Sequence, residues 1–389
     1  MAMPKEPVSF DVLGASVRLG PNAVKEVGSY FRKIGPRKVF VATDDGVVKA
    51  GLLKSPLAAL ENASIPYEVF KDIEPNPSDR TIMAGAEAFK KTGCSAVLGL
   101  GGGSALDAAK AIQVMACHPG HVSEYFGVAA ASKINHGVKP YLIAVPTTSG
   151  TGSEVSRGSI ITNTATNTKC VMRAGIPSLA VIDPEMTVSM PPFLTAATGM
   201  DALSHNIEAA VSHVYHPVCM SLALEGIRLV RKSLRKAVEA GSDLEARLDM
   251  AAASMMGALA FQKGLGTVHS LAHQLSTDAN VHHGVANSIL LPHVIRFNSG
   301  HASAAILEIA RAWGQDVNSL SPAAAGERVC AAITRLSVEI GLPQRLRDVG
   351  VKEDQITPMA QKAMGDWCHP FNPRPCTQAD MEYLYRQAY

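Results

Sequence analysis

Along the first half of the chain, short apolar or β-branched runs alternate with longer segments whose apolar residues recur at helical spacing. Lys38–Thr43 (KVFVAT), Tyr67–Phe70 (YEVF), Ala96–Leu100 (AVLGL) and Tyr141–Val145 (YLIAV) read as strands. Val47–Ala63, Asp79–Lys91 and Ser104–Ala116 read as the helices between them. This alternation predicts a parallel sheet covered by helices on both faces. Ile160–Thr162 and Lys169–Met172, separated by the polar stretch NTATNT, read as a hairpin or edge extension, and Ala180–Asp183 (AVID) as the last strand.

After Pro184 the texture changes. Thr195–His213, Cys219–Ala240, Asp243–Gln262, Val268–Leu275, Ala302–Ala312 and Ala323–Ile340 are rich in Ala, Leu and Met with helical periodicity, and strand-like runs nearly vanish. Breaks are expected at Pro191-Pro192, Pro217, Gly264–Gly266, Pro292 and Gly341–Pro343. The expected fold is α/β plus all-α: a doubly wound, parallel-sheet dinucleotide-binding domain over residues 1–184, then an all-helical metal-binding domain over 185–389, with the boundary near 184–192.

Composition narrows the class. The 389 residues are 47% hydrophobic and 18% charged, enough for two cores. A net charge of +2 gives no electrostatic footprint for nucleic acid or a membrane surface. Seven dispersed cysteines without CxxC spacing fit reduced thiols. MAMPKEPVSF lacks the apolar stretch of a signal peptide, and no uncharged run reaches 18 residues. A cytoplasmic protein is expected.

Two loops point to a phosphorylated ligand. Gly99-Leu100-Gly101-Gly102-Gly103-Ser104 joins a strand to the helix that carries Asp107 and Lys110. Its glycines let the backbone approach an anion, and the first helical amides point at it. It is not the GxGxxG fingerprint, since position 104 is Ser. Pro146-Thr147-Thr148-Ser149-Gly150-Thr151-Gly152-Ser153-Glu154 follows another strand and offers hydroxyls and flexible amides. Two such loops at carboxyl ends of parallel strands suit a dinucleotide. Asp44, ending an earlier strand, can accept from an adenosine ribose and repel a 2′-phosphate, favouring NAD over NADP; alternatively it caps the next helix.

The second half carries metal-ligand chemistry. Asp201 and His205 lie four residues apart in TGMDALSHNIEA, and His269 and His273 repeat that spacing in GTVHSLAHQLSTDANVHHG, where His283 follows. Four helical steps overshoot one turn by only about 40°, so each pair projects from one face. Imidazole plus carboxylate suits a borderline divalent ion. The His283-Gly284 pair reads as a turn, and Asp201 alone would read as a helix cap. Spacing does not choose among His269, His273, His282 and His283.

GGGSALDAAK, PTTSGTGSEVS, TAATGMDALSHNIEA, GLGTVHSLAHQLSTDANVHHGVANSILLPH and NPRPCT, in this order over nearly the whole chain, resemble the iron-containing, group III alcohol dehydrogenase family. The resemblance implies an active site in the cleft between the two domains and metal ligands at Asp201, His205, His269 and His283. It makes His273 a histidine beside the metal rather than a ligand. It places pyrophosphate contacts at Gly101, Gly102, Gly103 and Ser104, further cofactor contacts at Thr147, Thr148, Thr151 and Ser153, Lys169 near a ribose, and Asp44 on the adenosine side. Asp107, on the helix after the first loop, joins the cofactor-binding set. His282 stands where many members carry Pro, and Gln274-Leu275-Ser276 replaces the commoner Pro-Leu-Gly. A homodimer or higher homo-oligomer is implied.

The expected chemistry is NAD(P)-linked hydride transfer from a small primary alcohol, or to its aldehyde, assisted by Fe²⁺, with Zn²⁺, Mn²⁺ or Ni²⁺ as alternatives. His273 can relay the proton to solvent. Arg157 and Lys263 are candidates for binding a substrate anion. AFQKGLGTVHSL and SEVSRGSII look closest to 4-hydroxybutyrate-type members, so a small ω-hydroxy acid is the runner-up substrate. A hydroxyacid–oxoacid transhydrogenase is the alternative activity.

Overall fold

The computed structural model describes residues 14–389, so the N-terminal stretch read for a signal peptide lies outside the described residues. The described chain divides into two units, Gly14–Thr148 with Gly152–Met190, and Ser149–Thr151 with Pro191–Tyr389.

The first unit runs β1 (Val17–Leu19), α1 (Val27–Ile34), β2 (Val39–Ala42), α2 (Asp45–Lys49), α3 (Lys54–Asn62), β3 (Tyr67–Phe70), α4 (Asp79–Lys91), β4 (Ala96–Gly101), α5 (Gly103–Met115), β5 (Tyr141–Pro146), β6 (Ser159–Asn163), β7 (Thr168–Met172) and β8 (Leu179–Ile182). Six strands form one parallel sheet in the order β1-β8-β5-β4-β2-β3. The central strands are apolar throughout because both sheet faces are covered. Successive side chains go to opposite faces: Phe40, Val97 and Leu142 pack with Ile82, Phe89 and Ile112, whereas Val39, Val41, Leu98 and Ile143 pack with Val27, Phe31 and Leu60. Each such fully buried large side chain contributes about 2 kcal/mol. Strand order reverses between β2 and β4, so the loops after these strands flank the switch point where open α/β sheets bind ligands.

β6 and β7 form their own antiparallel pair, with Ile161 opposite Cys170, and its Ile161 and Met172 join the core over α5. The single helix expected over Val47–Ala63 is two, α2 and α3. Pro56 is the reason: proline is tolerated in a first helical turn, so the helix restarts just before it. Edge strand β1 has only three residues, all exposed, with Arg18 at its centre; no apolar run marks it.

The second unit is helical: α6 (Pro192–Val211), α7 (Pro217–Glu239), α8 (Leu244–Ala260), α9 (Thr267–Asp278), α10 (His283–Asn298), α11 (Ser303–Ala312), α12 (Pro322–Glu339), α13 (Ile356–Ala363) and α14 (Gln378–Ala388). α6 is buried on nearly every side from Thr195 onward, as expected for a central helix of small and apolar residues packed by α7, α8 and α10. His283-Gly284 is not a turn but the first turn of α10, and Pro292 does not break that helix. Its ring removes one hydrogen bond, and the burial of Leu290, Leu291, Val294 and Ile295 around it outweighs a penalty of about 3 kcal/mol. Asp201 lies inside α6 and is not a cap. Among the described residues no helix is long and apolar enough to cross a membrane.

Candidate metal centre and cofactor loops

Three helices bring the expected ligands together. Asp201 and His205 project from α6, His269 from the first turn of α9, and His283 opens α10. Gly284 makes the α6–α10 approach possible: a Cβ there would stand 2.1 Å from the Ala197 carbonyl oxygen. Asp201 Oδ1 then lies 3.7 Å from His205 Nε2, 3.6 Å from His269 Nε2 and 3.5 Å from His283 Nε2. Asp201, His205 and His269 are buried, and the His283 side chain is 26% exposed.

The outward ring nitrogens of His205 and His269 have partners of their own. His205 Nδ1–H donates to the Gly150 carbonyl at 3.2 Å, and His269 Nδ1 bonds Glu208 Oε2. Asn287 Nδ2 donates to Asp201 Oδ1 at 2.7 Å. Burial alone would raise the Asp201 carboxyl, but the imidazoles of His205, His283 and His269 hold it well below the usual carboxylate range. Burial takes His205 down to about 4, overriding Asp201, so its ring is neutral at pH 7. At His269 burial also disfavours the charge, yet Glu208 and Asp201 together raise the ring to about 9. The result is a largely buried N/O donor set of three imidazole nitrogens and an ionised carboxylate, which fits Fe²⁺, Zn²⁺, Mn²⁺ or Ni²⁺.

A second cluster adjoins the first. His273 Nδ1 bonds Asp366 Oδ2 at 2.7 Å, while Asp366 Oδ1 accepts from Ser270 Oγ and the Cys368 amide, both at 2.9 Å. Burial would raise Asp366, but His273 and these hydrogen bonds keep it ionised, whereas burial and Asp366 push the Cys368 thiol well above its ordinary value. The His273 ring stacks on His283, centroids 5.5 Å apart, and lies 5.0 Å from that of Trp367. His282 is exposed and meets the Phe193 ring edge-on at 6.4 Å. Neither Glu208 nor Asp366 was among the residues expected from sequence. Glu208 sits three residues after His205, a spacing that could have flagged it.

In the α/β unit the first loop closes β4 directly into α5, with Gly102 at the helix cap. Gly101 adopts φ +149°, and a Cβ there would strike Ala105 Cβ at 2.6 Å. Asp44 Oδ1 caps α2 by accepting from the Val47 amide at 3.0 Å, while Oδ2 would be 3.0 Å from that same Cβ, against the glycine loop. Thr43 Oγ1, beside it at the strand end, is buried with no hydrogen-bond partner. Thr147 N donates to the Gly101 carbonyl at 2.9 Å, joining the two loops, and Thr148 faces Gly102. Ser104 Oγ accepts from Asn76 N at 3.1 Å. Asp107 supports the second loop: its carboxylate accepts from Ser153 Oγ and from Ile160 N at 2.8 Å. Lys110 does the same from below, within 3.0 Å of Asp107 Oδ1 and of the Ser153 carbonyl. Glu154 is buried, and desolvation takes its carboxyl up to about 7. Thr151 belongs to the loop segment that clusters with the helical unit, and Lys169 lies half-buried on β7.

The two substrate candidates separate. Lys263 is 1% exposed, its Nζ 3.4 Å from the Ala210 carbonyl, and burial pushes it down to about 8. Arg157 is exposed and lines a surface hollow of about 500 Å³ with His136, Lys139 and Arg173.

Comparison with known proteins returns one family for both halves: "Iron-containing alcohol dehydrogenase" matches residues 15–184, and "Fe-containing alcohol dehydrogenase family, C-terminal" matches 195–389. The chain is 40% identical over 386 residues to 1,3-propanediol dehydrogenase of Klebsiella pneumoniae, covering 98% of this chain and 99% of that protein. It is 38% identical to the NAD-dependent methanol dehydrogenase of Bacillus methanolicus, with 98% and 99% covered. A solved structure of 1,3-propanediol oxidoreductase superposes with a TM-score of 0.94 at 40% identity, covering 98% of this chain and 100% of that one.

Proposed function

The chain belongs to the iron-containing alcohol dehydrogenase family, and from that premise we propose that it is a metal-dependent, NAD-linked dehydrogenase of small primary alcohols that also reduces their aldehydes. The observation that carries the reading is the convergence of the Nε2 atoms of His205, His269 and His283 on one Asp201 oxygen. When bound, the divalent ion supplies Lewis acidity at the substrate oxygen and the nicotinamide supplies the hydride acceptor.

The chain's own residues do the rest. Gly150 and Glu208 hold the protons of His205 and His269 on Nδ1, leaving Nε2 available as a ligand atom. Asp366 holds a proton on His273 Nδ1, so His273 Nε2 can take the hydroxyl proton and pass it outward. The Trp367 ring beside His273 keeps water from part of its surface. Gly101, Gly102, Gly103 and Ser104 offer amides at the start of α5 to the cofactor phosphates, with Thr147, Thr148, Thr151 and Ser153 beside them. Asp44 uses one oxygen as a helix cap and keeps the other for a ribose hydroxyl, which disfavours a 2′-phosphate. The methanol and propanediol enzymes among its relatives support the primary-alcohol reading. Lys263 points its ammonium at a buried carbonyl, which weighs against the hydroxy-acid runner-up.

An alcohol panel with NAD and NADP tests this. Turnover of 1-butanol with NAD, and NADH released into solution, are expected. Preference for 4-hydroxybutyrate would shift the substrate class, and a cofactor that never leaves the protein would favour a transhydrogenase.

A further inference from the structure

We propose that Glu208 is the positioning residue of the metal centre, setting the tautomer of His269 and completing its charge balance; this rests on the metal reading above. Glu208 is 2% exposed and lies on α6 between the ligand pair of that helix and the start of α9. Both of its oxygens are committed to one turn of α9. Oε1 accepts from the Val268 amide at 2.7 Å, and Oε2 bonds His269 Nδ1. A helix N-terminus stabilises a buried carboxylate placed this way.

The consequence for His269 follows from donor and acceptor inventory. A carboxylate only accepts, so His269 Nδ1 must carry a proton, and Nε2 is the nitrogen that would offer its lone pair when metal binding displaces the ring's second proton. That Nε2 is the atom 3.6 Å from Asp201 Oδ1. Charge gives the second half of the argument. A divalent ion with three neutral imidazoles and Asp201 alone would leave one net positive charge in a buried site. Glu208 brings the ensemble to neutrality, which burial strongly favours. The neighbouring ligand His205 relies on a main-chain carbonyl instead, so Glu208 is the side chain through which His269 can be retuned.

Glu208→Gln separates this role from simple helix docking. The amide oxygen can still accept from Val268 N, so the α6–α9 contact survives. The amide nitrogen would face His269 Nδ1 as a donor and drive the ring proton to Nε2, the ligand atom. Zinc affinity is measured on metal-stripped protein by competition with a chromophoric chelator, alongside thermal unfolding without metal. Glu208→Gln should bind zinc about 10–100-fold more weakly, with metal-free unfolding close to wild type. Glu208→Asp, which restores the charge, should recover part of the loss. Wild-type zinc affinity in Glu208→Gln overturns the proposal; if that variant does not fold, wild-type affinity in Glu208→Ala, which also lacks the carboxylate, does so. Asp201→Asn is the control: if it binds zinc normally, the metal reading itself has failed, whereas loss there with normal Glu208→Gln condemns only the Glu208 role.

Discussion

Two buried clusters built from the same chemistry lie side by side in the helical unit, and their wiring differs. Around Asp201 the carboxylate oxygen faces three imidazole nitrogens, and the outward nitrogens of His205 and His269 are tied off elsewhere. Around Asp366 the carboxylate is spent on hydrogen bonds to Ser270, the Cys368 amide and His273, and the nearby thiol stays protonated. Similar carboxylate–imidazole chemistry is therefore wired for two different proposed roles. Donors that converge support the proposed ion site; a carboxylate saturated by hydrogen bonds supports the proposed role of His273 as an oriented proton carrier.

The comparison breaks most visibly at Asp201. Asp201→Ala should lose metal and lower turnover by on the order of 10³-fold or more, read from elemental analysis and NADH formation. Full metal content in the purified variant would erase the distinction between the clusters. A smaller effect is expected in the second cluster. His273→Ala and Asp366→Asn should each slow turnover about 10²-fold while retaining metal, and should change the shape of the pH–rate profile. Loss of metal in Asp366→Asn would merge the two clusters into one site.

The smallest effect concerns a charge that lacks either kind of support. Lys263 has a carbonyl where the buried carboxylates have imidazoles. Its folded pKa, about 8, lies below its ordinary 10.5, so at pH 7 both states carry the proton and the folded state bears the penalty. Between those values the folded protein releases the proton first, and stability rises with pH. Lys263→Met should therefore stabilise the fold by on the order of 1–3 kcal/mol at pH 7, an advantage that shrinks as pH rises from about 8 towards 10.5. Calorimetry checks the stability, and unchanged kinetics on hydroxy acids would retire Lys263 as a substrate residue.

Much of this architecture is legible in the sequence because it is local. Apolar runs such as YEVF and AVLGL mark parallel strands, and i, i+4 spacing aligns Asp201 with His205. Legibility fails where long-range packing decides. The bond of Glu208 to His269 spans 61 residues and that of Asp366 to His273 spans 93, so no window contains both partners. Pro292 reads as a breaker because propensity is local, whereas the burial that holds α10 together is not. Strand β1 has three residues and no apolar run, so pairing with β8 alone defines it. Asp44 shows an intermediate case: one oxygen serves as the expected helix cap, and the other lies against the glycine loop, where the ribose role is a proposal.

The most direct test is to strip the protein with a chelator and follow NADH formation from 1-butanol before and after adding Fe²⁺ anaerobically. Activity should vanish on stripping and return with the ion, in wild type but not in Asp201→Ala. Undiminished turnover by protein shown to be free of metal would contradict the account.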